Sequence, residues 1–187
     1  MRERMLEVAR ELFVKNGYNS TTTADIVKLS GSSKGTLYYH FETKENLFLE
    51  ILNIEEDRWL QLWRAEEKNC SSNAEKFHRF NELSAITDAY YPLQTAMIEF
   101  YSKDHESKLV QEKMDELDRR YINQYYEIFS AGNEAGEWDI EDVESTSQVA
   151  AAAITGLILF TIRADTGKRK ELCEHFSVTF LKGLLKK

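Results

Sequence analysis

Proline occurs once in these 187 residues, at position 92, and glycine only eight times. That scarcity constrains the fold more than any other feature. A β-sandwich needs breakers at its many turns, and disordered low-complexity chains are rich in them. Long helices need few. Hydrophobic residues make up 42% of the chain and charged residues 30%, ordinary values for a globular protein long enough to bury a real core. Cys70 and Cys173 are too few for a disulfide scaffold, and neither pairs with histidine at metal-ligand spacing. The opening MRERMLEVARELF is charged and amphipathic, unlike a secretory leader. The longest apolar run, Val149 to Ile162, falls short of the roughly 18–20 residues of a membrane span. The expectation is an all-α, soluble, cytoplasmic protein with no membrane association.

Apolar periodicity places the helices. Met5, Val8, Ala9, Leu12 and Phe13 form one stripe, and Lys15-Asn16-Gly17 supplies a basic last turn and a glycine stop. Thr22 with Asp25 resembles a capping box ahead of Ile26, Val27 and Leu29. Ser30-Gly31-Ser32-Ser33 is a turn, with Ser32 or Ser33 able to cap a helix from Lys34 to about Phe41. Thr43 can cap a long helix from Lys44 through about Glu67. Beyond the break at Cys70–Asn73, helices are expected over about Ala74–Tyr91, stopped by Pro92, and over Leu93–Ser102. A long helix to about Ser130, a loop over 131–137, and helices over about 140–164 and 170–185 complete the layout.

Two short helices joined by a glycine-containing turn and braced by a leading helix make a helix-turn-helix pattern. Such a unit lays its second helix in the major groove of DNA. Here that helix offers Lys34, Gly35, Thr36, Tyr38, Tyr39 and His40. Lysine reaches phosphate or a guanine edge, glycine permits close backbone approach, and hydroxyl and imidazole groups donate to phosphate oxygens. Thr23 and Ser33 stand at helix starts, where backbone N–H groups attract anions. The net charge of −8 argues against nucleic acid, but its distribution does not. Residues 1–44 carry seven basic and five acidic side chains, leaving 17 basic and 27 acidic residues for the remainder.

The remainder places acids and aromatics at helical spacing. Glu55 and Glu56 lie one turn from Trp59, and Asp88 lies one turn from Tyr91. Gln94, Met97, Ile98 and Tyr101 form a stripe, and Asp118, Tyr121 and Tyr125 form another. Such stripes are usually core. They would also suit a flat lipophilic cation, because rings attract cations by ~0.5–2 kcal/mol each and a carboxylate offsets the cost of burying charge. Several acids around one cavity would let different cations find different partners. The run Val149–Phe160 is apolar nearly all round and must be covered, while Phe176, Phe180 and Leu184 mark one face of the last helix. This pair reads as a dimer interface. No metal, cofactor or catalytic constellation is read, so an enzyme is not expected.

Thr21–Val27, the run Ser33–Phe41 and the trailing Lys44-Glu45-Asn46-Leu47 resemble the N-terminal signature of the TetR family of bacterial repressors. Asn53–Glu56, Tyr90–Gln94, Ile98–Tyr101, Glu112–Met114 and Gly136–Trp138 are similar to a multidrug-binding branch of that family, so the resemblance spans the chain. It implies a three-helix DNA-binding head over 1–44 and a six-helix ligand-binding and dimerisation body over 45–187. It implies a homodimer on pseudo-palindromic double-stranded operator DNA, released by lipophilic cations and controlling a drug-efflux gene. It adds Ser32 and Lys44 to the DNA contacts. It assigns Glu55, Glu56, Trp59, Asp88, Tyr91, Gln94, Met97, Ile98, Tyr101, Asp118, Tyr121 and Thr155 to the ligand pocket, with Phe160 reaching across from a partner subunit. Asp88 and Asp118 are shorter than the Glu of that branch, and Leu62, Ala152 and Thr155 replace amides. A family member sensing a neutral or acidic ligand, such as a fatty acyl compound, and a helical protein-interaction module are the alternatives.

Overall fold

The computed structural model describes residues 1–86, 92–161 and 164–184. Among these residues there are nine α-helices and no strand: α1 (Arg2–Ser20), α2 (Thr23–Ser30), α3 (Lys34–Phe41), α4 (Lys44–Glu66), α5 (Asn73–Ala85), α6 (Gln94–Tyr101), α7 (Lys108–Glu134), α8 (Val143–Phe160) and α9 (Thr166–Leu184). The chain divides into two compact units, one of Met1–Trp59 with Asp88–Leu117, the other of Leu60–Thr87 with Asp118–Lys187.

In the first unit α1 buries Met5, Leu6, Val8, Ala9 and Phe13. Gly17 kinks the helix at φ 77°, a conformation glycine adopts without a steric penalty. The kink is also crowded, since a Cβ at Gly17 would lie 2.6 Å from the Glu99 carboxylate of α6. That carboxylate accepts from the Asn19 backbone N–H at 2.8 Å. Beyond the kink, Tyr18 joins Phe48 and Phe100 at centroid distances of 4.9 Å, and Phe13 meets Phe48 at 4.7 Å. These edge and tilted ring pairs add ~0.5–1.5 kcal/mol each beyond area burial. Lys44 Nζ donates to the Tyr18 carbonyl at 2.6 Å, which satisfies a terminal carbonyl of α1.

The second unit is built on α5, α7 and α9. Phe77 and Phe80 of α5 pack on Tyr125 and Phe129 of α7, and Phe77 also stacks on Phe180 of α9 at 5.6 Å. Within this aromatic core sits a fully buried amide, Asn81. It donates to Ser177 Oγ and accepts from the Tyr125 hydroxyl, both at 2.8 Å. Burial drives the Tyr125 hydroxyl well above its usual pKa. A satisfied network of this kind avoids the ~1–3 kcal/mol cost of an orphaned buried group.

Helix ends differ from the sequence expectation where tertiary partners take over. α5 stops at Ala85 rather than running to Tyr91. The buried Arg169 donates to the Ala85 carbonyl at 3.4 Å, and β-branched Ile86 and Thr87 follow. Residues 87–91, including the candidates Asp88 and Tyr91, lie outside the described residues. α7 continues to Glu134 instead of ending near Ser130. Gly132 is not a stop: a Cβ there would fall 2.1 Å from Trp138, so glycine permits a close approach. The stop is Gly136, at φ 71°. α8 is shorter than expected at both ends, with Asp142 capping it through the Ser145 N–H at 2.9 Å. α9 starts four residues early, because Asp165 caps it through the Lys168 N–H and Gly167 sits inside the first turn. As an 18-residue helix, α8 is long and apolar enough to cross a membrane on length and composition, and 28% of it is buried. The apolar run counted from Val149 missed this. The helix takes in polar first turns as well, with Glu144 its one charge, and its mean hydropathy is still 1.4.

Candidate DNA interface and ligand site

The head is assembled by three side-chain caps. Thr22 Oγ1 accepts from the Asp25 N–H at 3.1 Å and donates to the Asp25 carboxylate at 2.6 Å. The aspartate is too short to reach back to the Thr22 backbone, so it holds the hydroxyl instead. Gly31 closes α2 in the left-handed region, at φ 66°. Ser33, not Ser32, caps α3, accepting from the Thr36 N–H at 3.0 Å. Ser32 bonds Ser30 within the turn. Thr43 caps α4 through the Asn46 N–H.

These caps orient α3 so that Leu37 and Phe41 are buried and the rest of the helix faces out. Ser33, Lys34, Gly35, Tyr38 and Tyr39 are exposed, while Thr23, Ser32, Thr36 and His40 are half-buried. Tyr39 is 84% exposed, far more than an aromatic retained for packing. Lys34 Nζ lies 5.8 Å from the Tyr38 ring. Ser33, Lys34, Gly35, Tyr38 and Tyr39 are therefore exposed together at the start and outer face of α3, while Thr23 opens α2 and Ser32 lies in the turn between the helices. Lys44 is set apart. Its ammonium bonds the Tyr18 carbonyl and sits 4.1 Å from the Tyr18 ring. Burial, followed by the nearby Lys103, lowers its pKa.

The candidate ligand residues fall into two groups. In the first unit, Glu55 and Trp59 are buried on α4, and Glu56 is half-buried beside them. On α6, Gln94, Met97, Ile98 and Tyr101 are half-buried, while Ala96 and Phe100 turn into the core. Gln94 Oε1 is buried without a hydrogen-bond partner among the described residues. In the second unit, Tyr121 is half-buried, its hydroxyl 3.3 Å from Ser84 and 3.4 Å from Tyr125. Asp118 and Thr155 are exposed, and Phe160 is 89% exposed.

Glu55 has partners that the sequence reading did not anticipate. Arg10 of α1 engages both carboxylate oxygens, at 2.9 and 3.0 Å, and Arg58 adds a contact at 2.5 Å. Bidentate guanidinium pairing is among the stronger polar contacts available. The signal in the sequence was slight: Arg10 falls one turn after Leu6, on the margin of the apolar stripe.

Comparison with known proteins places the chain. Residues 5–51 match the model of bacterial regulatory proteins of the tetR family, and residues 55–186 match the C-terminal region of QacR-like proteins. The HTH-type transcriptional regulator QacR of Staphylococcus aureus is 53% identical over 186 residues, covering 100% of this chain and 99% of that protein. The same fold occurs in the regulator FadR of Bacillus subtilis in complex with stearoyl-CoA, with TM-score 0.77, 18% identity, and 100% and 98% of the two chains covered. It occurs again in a transcriptional regulator of Saccharomonospora viridis in complex with choline, with TM-score 0.81, 20% identity and the same coverage. Ligands that differ this much show that the fold does not choose the ligand. The chain belongs to the TetR family of bacterial regulatory proteins, in its QacR-like branch, and is a transcriptional regulator rather than an enzyme.

Proposed function

We propose that this regulator is a homodimeric, cytoplasmic repressor that binds pseudo-palindromic operator DNA and is released by lipophilic cations, so controlling a gene for drug export. The full-length 53% identity to QacR carries the reading. The outward face of α3 supports a DNA-binding head over 1–44, with Thr23, Ser32, Ser33, Lys34, Gly35, Thr36, Tyr38, Tyr39, His40 and Lys44 as its contacts. One eight-residue helix reads few bases, and two-fold pairing doubles them. Pairing would cover the exposed apolar residues of α8, Val149, Leu159 and Phe160, a patch that is otherwise costly in water.

For the ligand, Glu55, Glu56, Asp88 and Asp118 supply counter-charge, and Trp59, Tyr91, Tyr101 and Tyr121 supply rings. Gln94, Met97, Ile98, Thr155 and the partner's copy of Phe160 complete the lining. To move the operator-bound population from 99:1 to 1:99, the ligand must favour the released form by about 5.5 kcal/mol. The test is a tryptophan-fluorescence titration with a planar lipophilic dication. Saturable quenching in the micromolar range, lost in Trp59→Phe, is the expected result. No quenching in a protein that still binds DNA would discard the cation and move the search to neutral and acidic ligands.

A further inference from the structure

Glu55 is 2% exposed, and its carboxylate is held by Arg10 and Arg58. A cavity of about 210 Å³ opens beside it, lined by Leu6, Arg10, Ile51, Ile54 and Glu55 among others. Two guanidiniums on one carboxylate leave it no net charge to offer a cation. A cationic ligand can use Glu55 only if a guanidinium withdraws. Withdrawal of Arg58 would move nothing else, because that side chain lies on α4 itself and is 61% exposed. Withdrawal of Arg10 would loosen α1, the helix that packs on α2 and α3. Arg2 and Glu50 make a second, more exposed ion pair between α1 and α4, of a kind that solvent and salt screen, and Phe13 and Tyr18 of α1 pack on Phe48 of α4.

We infer that Arg10 is a positioning residue of the regulatory switch: it occupies Glu55 in the operator-binding form, and a cationic ligand competes with it for that carboxylate. The inference rests on the reading of Glu55 as a ligand contact. The ligand pays for its place by breaking one polar link from α4 to α1, and that cost contributes to the coupling between the two sites. By linkage, the factor by which the cation lowers operator affinity is the factor by which operator lowers cation affinity, and the Arg10–Glu55 pair supplies part of it.

The experiment uses the full-length protein and tetraphenylphosphonium, an apolar cation that does not intercalate into duplex DNA. Calorimetry gives cation affinity, and anisotropy of a labelled operator duplex gives DNA affinity. Arg10→Met, which keeps the aliphatic stem, is expected to bind the cation roughly ten-fold more tightly. It should bind operator more weakly, and added cation should change its operator affinity by a correspondingly smaller factor. Arg10→Lys, which retains one charge but not the fork, should fall between and serves alone if the methionine variant does not fold. A purely structural role would weaken both affinities, so tighter cation binding distinguishes the two. Wild-type-like or weaker cation binding by the variants, with Glu55→Gln still losing affinity, overturns the inference and leaves the cation-sensor reading standing. Unchanged binding by Glu55→Gln overturns the inference alone, and no binding by the wild type overturns both.

Discussion

Glu42 is the one described non-glycine residue with positive φ, at 62°. It follows α3, with ψ −48°, and the Thr43 N–H reaches back to the Phe41 carbonyl at 2.6 Å. This is a γ-turn of the rarer, strained hand. Glu42 is exposed, so Glu42→Gly should relieve the strain without losing packing. It is expected to raise stability by about 1 kcal/mol, read as a higher urea midpoint. Cys173 is fully buried, and burial pushes its thiol up to about 11 from an ordinary 9.0. Its neutral form is therefore favoured by the fold. That contribution is complete below about pH 9 and is lost as pH rises toward 11, where only the unfolded chain ionises. Cys173→Ala should be less stable than wild type at pH 7, and the gap should narrow by about 2 kcal/mol between pH 9 and 11 in parallel urea titrations. Burial of this cysteine could not be read from its sequence neighbours, because it depends on Ala85 and Ile154 from distant helices.

At the scale of elements, the head was the most legible part of the sequence. Its starts are fixed by hydroxyls acting within three residues, at Thr22, Ser33 and Thr43. Its α2 stop is fixed by Gly31 in a conformation that suits glycine. Local chemistry of this kind is written in the sequence. The ends of α5 and α7 differ from the sequence expectation because the deciding contact is remote or because a glycine serves packing, whereas at α9 the glycine reads as a break although Asp165 caps the helix just before it. Gly132 makes room for Trp138, and Arg169 reaches Ala85 across 84 positions. The ligand residues were legible as types at helical spacing, but the Arg10–Glu55 pair was not, because 45 positions separate its partners. The cap at Ser33 can be tested directly. Ser33→Ala should cost about 0.5–2 kcal/mol of stability through the frayed first turn of α3. It should also weaken operator binding, whereas the threonine variant should retain most of both.

For the whole molecule, the acidic total and the DNA-binding head are reconciled by charge placement. Lys34 is the one lysine or arginine of α3, and the remaining candidate contacts of that helix are a glycine, hydroxyls and an imidazole. Neutral donors position a protein on phosphates without releasing counterions, so salt dependence reports the lysines. Lys34→Ala should weaken operator binding and flatten the plot of log affinity against log salt by about two, one from each subunit of a dimer. The most direct measurement of the central claim is operator release. A fluorescent duplex, selected by the protein from random sequence, is bound at fixed salt and titrated with tetraphenylphosphonium, with saturation checked by calorimetry. Anisotropy should fall to the free-DNA value as the operator dissociation constant rises ten-fold or more. An unchanged dissociation constant with the cation site saturated would contradict ligand-released repression.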